Sequence, residues 1–95
     1  MTDRALRPTL TVYRLASCEL CDEADGWLQA TLEDRALRGD PVPRVRRVDV
    51  DTDPDLRARY GALVPVFALD GTELPLVTSP RRLRTFLDRL LPVLA

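Results

Sequence analysis

The sequence predicts an α/β fold with a mixed four-stranded sheet and three helices, in the order strand–helix–strand–helix–strand–strand–helix. Three observations predict it. Short apolar segments of period two alternate with segments of helical period through the first half of the chain, the pattern of parallel strands joined by crossover helices. Asp70-Gly71 separates two apolar runs and signals a tight antiparallel hairpin. Ser79-Pro80 opens a final amphipathic run with a capping residue, followed by the proline that a first helical position accommodates.

Each element has its own local reason. Leu10 and Val12 alternate with Thr11 and Tyr13, so Thr9 to Arg14 reads as a strand. Ser17 is the expected N-cap of the next helix. Glu19, Asp22 and Glu23 follow, placing negative charge where unpaired N–H groups and the helix dipole favour it. Leu20, Ala24, Trp27, Leu28, Thr31 and Leu32 recur at helical spacing. That helix should reach Leu37 or Arg38, with Gly39 just past its end. Asp40-Pro41-Val42-Pro43 breaks the chain, and Val45 to Val50 reads as the second strand. Asp53-Pro54 starts a short helix that Gly61 ends after Tyr60. Val64 to Leu69 is an apolar run short enough for a buried strand, and Glu73 to Thr78 is its antiparallel return. Leu83, Phe86, Leu87, Leu90 and Leu91 form the core stripe of the last helix.

Ninety-five residues are expected to form a single domain, 1–95, around one modest core. An apolar fraction of 45% argues against disorder. The 14 basic residues, all arginine, against 15 acidic ones give a charge of −1, so neither nucleic acid nor an anionic membrane is an expected partner. Histidine is absent, which excludes a Cys–His couple, a Ser–His–Asp triad and any histidine-ligated metal. No run approaches the roughly 18 apolar residues of a membrane span, and no signal-peptide pattern opens the chain. A cytoplasmic location is the expectation. There, paired cysteines more often serve catalysis or metal binding than act as a structural staple.

Cys18-Glu19-Leu20-Cys21 holds both cysteines of the chain, at the junction of the first strand and helix. A thiol at the first turn of a helix is acidified by free N–H groups and the dipole, and a second thiol one turn on can reach it to close a disulfide. Dithiol–disulfide exchange needs that arrangement. Two other readings stand beside it. The cysteines could be small buried hydrophobes at the foot of a helix. A metal site would need two further ligands that a chain without histidine or another cysteine does not supply, so no metal is expected. The Asp49, Asp51, Asp53 and Asp55 series reads as a strand edge, a cap and solvated charge. Trp27 reads as core packing, and Arg81 and Arg82 as a solvated face, with contact to an acidic ligand at that helix start as the alternative.

The element order, with Cys-x-x-Cys directly after the first strand and Val64-Pro65 directly before the third, resembles the thioredoxin fold and within it the glutaredoxins. The chain is similar in particular to small bacterial glutaredoxin-like proteins. Thr11-Val12-Tyr13, Ser17 to Ala24, Val48 to Pro54, Tyr60-Gly61, Val64-Pro65-Val66 and Asp70 to Leu74 carry the resemblance. It implies a cis Pro65 lying against the cysteine pair, with Val64 offering its backbone N–H and C=O to an incoming peptide or glutathione by strand addition. It implies that Cys18 is the exposed nucleophile and Cys21 the resolving thiol. Arg14 and Ser79 are the further expected substrate-binding residues.

The chain departs from the familiar glutaredoxin pattern in three places. Leu15 stands where those proteins carry a basic residue, with Arg14 one position earlier and so on the other face of the strand. Leu63-Val64-Pro65 replaces Thr-Val-Pro. Leu76-Val77-Thr78-Ser79 stands where Gly-Gly and acidic residues hold one end of glutathione. Glu19, Asp22 and Glu23 oppose a thiolate at Cys18, which predicts a less acidic thiol and a more reducing couple than neutral spacers give. The resulting expectation is a thiol–disulfide oxidoreductase with no bound cofactor and with glutathione as a candidate co-substrate. Its partners would be disulfide-containing proteins or glutathione mixed disulfides, and the chain would act as a monomer. A non-catalytic redox-sensing or protein-binding module of the same fold is the alternative.

Overall fold

A computed structural model describes residues 7–91. In chain order its elements are β1 (Thr9–Arg14), α1 (Glu19–Arg38), β2 (Arg44–Asp49), a 3-10 turn (Val50–Thr52), α2 (Pro54–Tyr60), β3 (Val66–Leu69), β4 (Thr72–Leu74) and α3 (Pro80–Leu90). The sheet order is β2-β1-β3-β4. β1 and β2 are parallel, with Thr9 opposite Arg44 and Arg14 opposite Asp49. β3 runs antiparallel to both β1 and β4. The βαβαββα order expected from the sequence is the order observed.

Strand alternation sorts the side chains. Leu10 and Val12 of β1, with Phe67 and Leu69 of β3, turn to one face and meet Ala24 and Leu28 of α1 and Leu83 and Leu87 of α3. These residues are almost wholly buried and form the main core, worth roughly 25 cal/mol for each Å² of apolar surface removed from water. On that same face Arg47 of β2 pairs with Asp25 of α1 at 2.7 Å. The opposite face carries Thr9, Thr11 and Tyr13. It is covered only at one end, because α2 has seven residues, two turns. Beside α2 an open cleft of about 600 Å³ remains, lined by Thr9, Thr11, Tyr13, Arg59, Tyr60 and Glu73 among others.

Local chemistry sets most element ends. Gly39 closes α1 in the left-handed region, φ 82°, and its N–H bonds the carbonyls of Ala36 and Arg35. Asp53 caps α2 by accepting the Asp55 amide, with Pro54 following. Gly61 follows Tyr60, as expected, and donates its N–H to the Arg57 carbonyl. Ser79 caps α3 by accepting the Arg82 amide, with Pro80 following. Asp70 and Gly71 both have positive φ, 50° and 80°, as a two-residue hairpin turn requires.

Four details differ from the sequence expectation. The N-cap of α1 is Cys18, whose sulfur accepts the Cys21 amide, and Ser17 stays exposed in the turn before it. β2 runs one residue earlier than expected, Arg44–Asp49, because Val50 enters the 3-10 turn that Asp49 caps. β3 begins at Val66 because the Val64–Pro65 peptide bond is cis and the ladder starts only beyond it. β4 ends at Leu74, since Pro75 has no N–H to donate and Leu76 turns left-handed at φ 49°.

One polar cluster beneath α1 had no counterpart in the sequence reading. Arg35 is fully buried, donating from Nη1 to Asp88 of α3 at 2.6 Å and from Nε to the Pro41 carbonyl at 2.8 Å. Asp40, also buried, accepts from Arg38 at 3.0 Å and donates its amide to the Arg35 carbonyl. The Asp-Pro-Val-Pro breaker is thus fastened to the end of α1 by hydrogen bonds and charge, with Pro43 buried at its end.

Candidate active site

β1 delivers the chain to the edge of the main core, and the turn after it places Cys18 and Cys21 on the first turn of α1. The two are joined as a disulfide, with Cα atoms 5.2 Å apart. Their exposures differ. Cys21 is 2% exposed, at the heart of a second apolar cluster with Val50, Tyr60, Val64 and Val66. Cys18 is half-buried at the margin of that cluster, together with Tyr13, Leu15 and Leu56. Of the two sulfurs, Cys18 is therefore the one a macromolecule can approach.

Val64 packs into the same cluster, and the Val64–Pro65 peptide bond is cis, as the resemblance implies. The backbone here has two edges with different fates. Leu63 and Pro65 give their carbonyls to the segment after β4, accepting from Leu76 at 2.9 Å and Val77 at 3.4 Å. In an extended chain successive residues direct their N–H and C=O groups to opposite edges. Val64 accordingly faces the other edge. There β1 pairs no further than Tyr13 opposite Val66, because the chain leaves for the cysteine turn. Neither the N–H nor the C=O of Val64 has a hydrogen-bond partner among the described residues. Such an unpaired stretch beside an accessible sulfur is a place where a further strand can add.

The charged residues around Cys18 are partly neutralised. Arg14, on the α1 face of β1, donates to Asp22 at 2.7 Å and to the Leu15 carbonyl at 3.4 Å, so its guanidinium is engaged by the cysteine helix itself. Leu15, at the next position, is packed in the cysteine cluster. Glu19 and Glu23 are exposed. Ser79 lies at the start of α3 and uses its hydroxyl as the cap, while Arg82 reaches back to the Leu76 carbonyl at 3.1 Å. Asp49 and Asp53 are occupied as caps and Asp51 pairs with Arg57, which gives each a local structural task.

Behind the cysteine cluster Tyr13 and Tyr60 stack, with ring centroids 4.1 Å apart. The Tyr60 hydroxyl donates to Glu73 of β4, and Arg59 lies over the Tyr60 ring at 5.1 Å. Burial, reinforced by the bond to Glu73, pushes the Tyr60 hydroxyl well above the ordinary tyrosine value. The sequence reading named neither this stack nor the Leu63–Leu76 bond. Both join residues that lie far apart along the chain, and no residue type at position 76 announces positive φ.

A Cys18–Cys21 disulfide at the start of the helix after β1, a cis Val64–Pro65 bond just before β3 and the βαβαββα order define the thioredoxin fold. The chain belongs to the glutaredoxin-like domain family (DUF836), whose model matches residues 9–90. It is similar to the X-ray structure of the structural genomics target protein XcR50 from X. campestris. That likeness is 33% identical with a TM-score of 0.68, and it covers 84% of this chain and 96% of that one. More distant structures share the fold. The germline-specific thioredoxin Deadhead of Drosophila melanogaster is 18% identical with a TM-score of 0.61, over 90% of this chain and 82% of its own. The thioredoxin of Fasciola hepatica is 20% identical with a TM-score of 0.57, over 88% and 81%. No curated protein matches the chain. No helix among the described residues is long and apolar enough to cross a membrane.

Proposed function

We propose that this protein is a thiol–disulfide oxidoreductase in which Cys18 attacks and Cys21 resolves. The observation that carries the reading is the unequal burial of the two sulfurs next to the unpaired Val64 edge. In the dithiol form, the Cys18 thiolate attacks one sulfur of a substrate disulfide. An S–S bond forms between Cys18 and that sulfur, and the other substrate sulfur leaves as a thiolate and takes up a proton. Cys21 then loses its proton and attacks Cys18, closing the intramolecular disulfide and releasing the second substrate thiol. Two protein thiols are oxidised, one substrate disulfide is reduced, and an external thiol reductant restores the dithiol. A reducing cytoplasm is the compartment that suits this cycle. Protein disulfides and glutathione mixed disulfides are the substrate classes, and no bound cofactor takes part.

Val64 aligns the substrate through its free N–H and C=O. Arg14 serves the site by holding Asp22, and Ser79 by fixing the start of α3. Incubating a Cys21→Ser variant with cell extract tests the reading. Attack without resolution should leave several partners linked through Cys18 and released by dithiothreitol. If nothing is trapped, and the wild type does not reduce hydroxyethyl disulfide, the reading fails.

A further inference from the structure

We propose that two copies of this chain associate through the open face of the sheet, each placing its α2 in the cleft beside the α2 of the other. The pairing goes beyond the exchange reading, does not depend on it, and departs from the monomer expected from the sequence.

The sheet leaves a face to be covered. β1 and β2 are a parallel pair, and parallel strands joined by crossover helices are usually covered on both sides. Here α1 and α3 cover one side. The other side has only α2, two turns long, with the open cleft of about 600 Å³ beside it. Thr9 and Thr11 of β1 and Ala68 of β3 form the cleft floor. These are small side chains, on which a helix roughly 10 Å across can lie.

Charge is sorted across that face. Strand register places Arg46, Thr11, Ala68 and Glu73 in one row from β2 to β4. The next row runs from Arg44 through Thr9 to Asp70 of the hairpin turn. The β2 side is therefore basic and the β4 side acidic. On α2 the order is reversed. The helix leaves the β2 end through the Asp53 cap and finishes at Tyr60, whose hydroxyl reaches Glu73 of β4. Leu56 and Tyr60 face inward, so Ala58 is outermost, and Asp55 and Arg59 share the flank turned to the cleft. Asp55 stands at the β2 end of that flank and Arg59 at the β4 end. Among the described residues the side chains of Arg46, Asp55 and Asp70 form no hydrogen bond or ion pair, and Arg59 approaches Glu73 only to 3.8 Å.

One symmetry operation joins these features. A two-fold axis between two such faces, running across the strands, reverses strand direction but keeps β2 above β2 and β4 above β4. It lays the α2 of one protomer on the threonine floor of its partner, with Ala58 toward the floor. Asp55 then meets the partner's β2 arginines, and Arg59 meets the partner's Asp70 and Glu73. The two α2 helices lie side by side, so like charges approach near the axis, but each sits among the opposite charges of both protomers. Cys18 follows the end of β1 remote from Thr9, so both reactive sulfurs stay outside the contact.

Sedimentation equilibrium from about 1 μM to about 1 mM, the range of weak association, tests the pairing. The wild type should pass from monomer to dimer, and added salt should weaken the dimer by screening its charges. Arg46→Glu and Asp55→Arg each turn the attraction on both sides of the axis into repulsion, and each should weaken association at least about tenfold. An equimolar mixture of the two variants restores opposite charges at every contact between positions 46 and 55, and should dimerise as the wild type does. That recovery also shows that both variants are folded. A wild type that stays monomeric, a dimer indifferent to both substitutions, or a mixture that does not recover overturns the proposal. Hydroxyethyl disulfide reduction should be the same in both variants as in the wild type. A wild type that dimerises but reduces no disulfide overturns the exchange reading alone.

Discussion

The sulfur of Cys18 accepts the amide of Cys21 at 3.1 Å, so the reactive residue is also the N-cap of its own helix. Sequence preference had pointed to Ser17, which is exposed. The cap couples chemistry to helix stability, and serine can replace cysteine in it. Under reducing conditions Cys18→Ser should match or exceed the wild type in stability. Cys18→Ala should fall below the serine variant by about 1 kcal/mol, the usual worth of a cap. Denaturation midpoints with dithiothreitol present measure this directly. Equal midpoints for the two variants would show that the cap contributes nothing.

Charge around the cap should tune Cys18. Arg14 offsets Asp22, whereas Glu19 is exposed with its charge one residue from the nucleophile. Glu19→Gln should raise the rate at which reduced Cys18 is alkylated near neutral pH, and Arg14→Ala should lower it. Each change should be about 2- to 5-fold, the size that exposed charge pairs carry. Iodoacetamide kinetics on the Cys21→Ser background isolate the nucleophile, and raising the salt should compress both effects. Identical rates in all three proteins would remove the electrostatic account.

Tyr60 makes stability depend on alkaline pH. Burial and donation to Glu73 both favour its neutral form, so the folded state holds this proton above the ordinary value of 10.0. The contribution is fully present below that value. As pH rises past it, the unfolded chain gives up a proton the folded chain keeps, and stability declines by up to about 1.4 kcal/mol per pH unit until folded Tyr60 also ionises. Urea unfolding on the alkaline side should show that decline, and Tyr60→Phe should flatten it. An equally steep decline in the phenylalanine variant would assign the effect to other groups.

How far the sequence revealed this molecule depends on how local each determinant is. Gly39, Asp53-Pro54, Asp70-Gly71 and Ser79-Pro80 act within a few residues of themselves, and the element boundaries they mark lie where the sequence reading put them, except that the return strand starts at Thr72, one residue before the expected Glu73. The Cys18–Cys21 pair and the cis Val64–Pro65 bond were also legible, because their spacing resembles a known family, and the fold brings Val64 into one cluster with the cysteines. The returning strand was not. An apolar run from Glu73 to Thr78 fits a strand by composition, but the carbonyls of Leu63 and Pro65 draw Leu76 and Val77 out of the ladder. The Tyr60–Glu73 bond joins residues 13 apart, and the Arg35–Asp88 pair joins residues 53 apart. Neither spacing has a local signature.

The Arg35–Asp88 pair carries the last prediction. Arg35 lies on α1 amid apolar positions, a place where a single-sequence reading expects solvent-facing charge, yet it is fully buried. Its charge is matched by a partner that is 40% exposed, so the pair is desolvated on one side only. Replacing Arg35 with alanine leaves a void beneath α1, frees the Pro41 carbonyl and strands Asp88. The loss should be about 3 kcal/mol, the lower end for breaking a buried pair because Asp88 keeps contact with water. Asp88→Asn retains an acceptor for the guanidinium and should cost less, about 1 kcal/mol. Arg35 is about 25 Å along α1 from Cys18, so Cys18 alkylation in the folded Asp88→Asn protein should proceed at the wild-type rate. Guanidinium chloride unfolding supplies both stabilities. Equal losses in the two variants would mean that the ionic charge of Asp88, rather than the hydrogen bonding and packing of Arg35, fastens α3 to the end of α1.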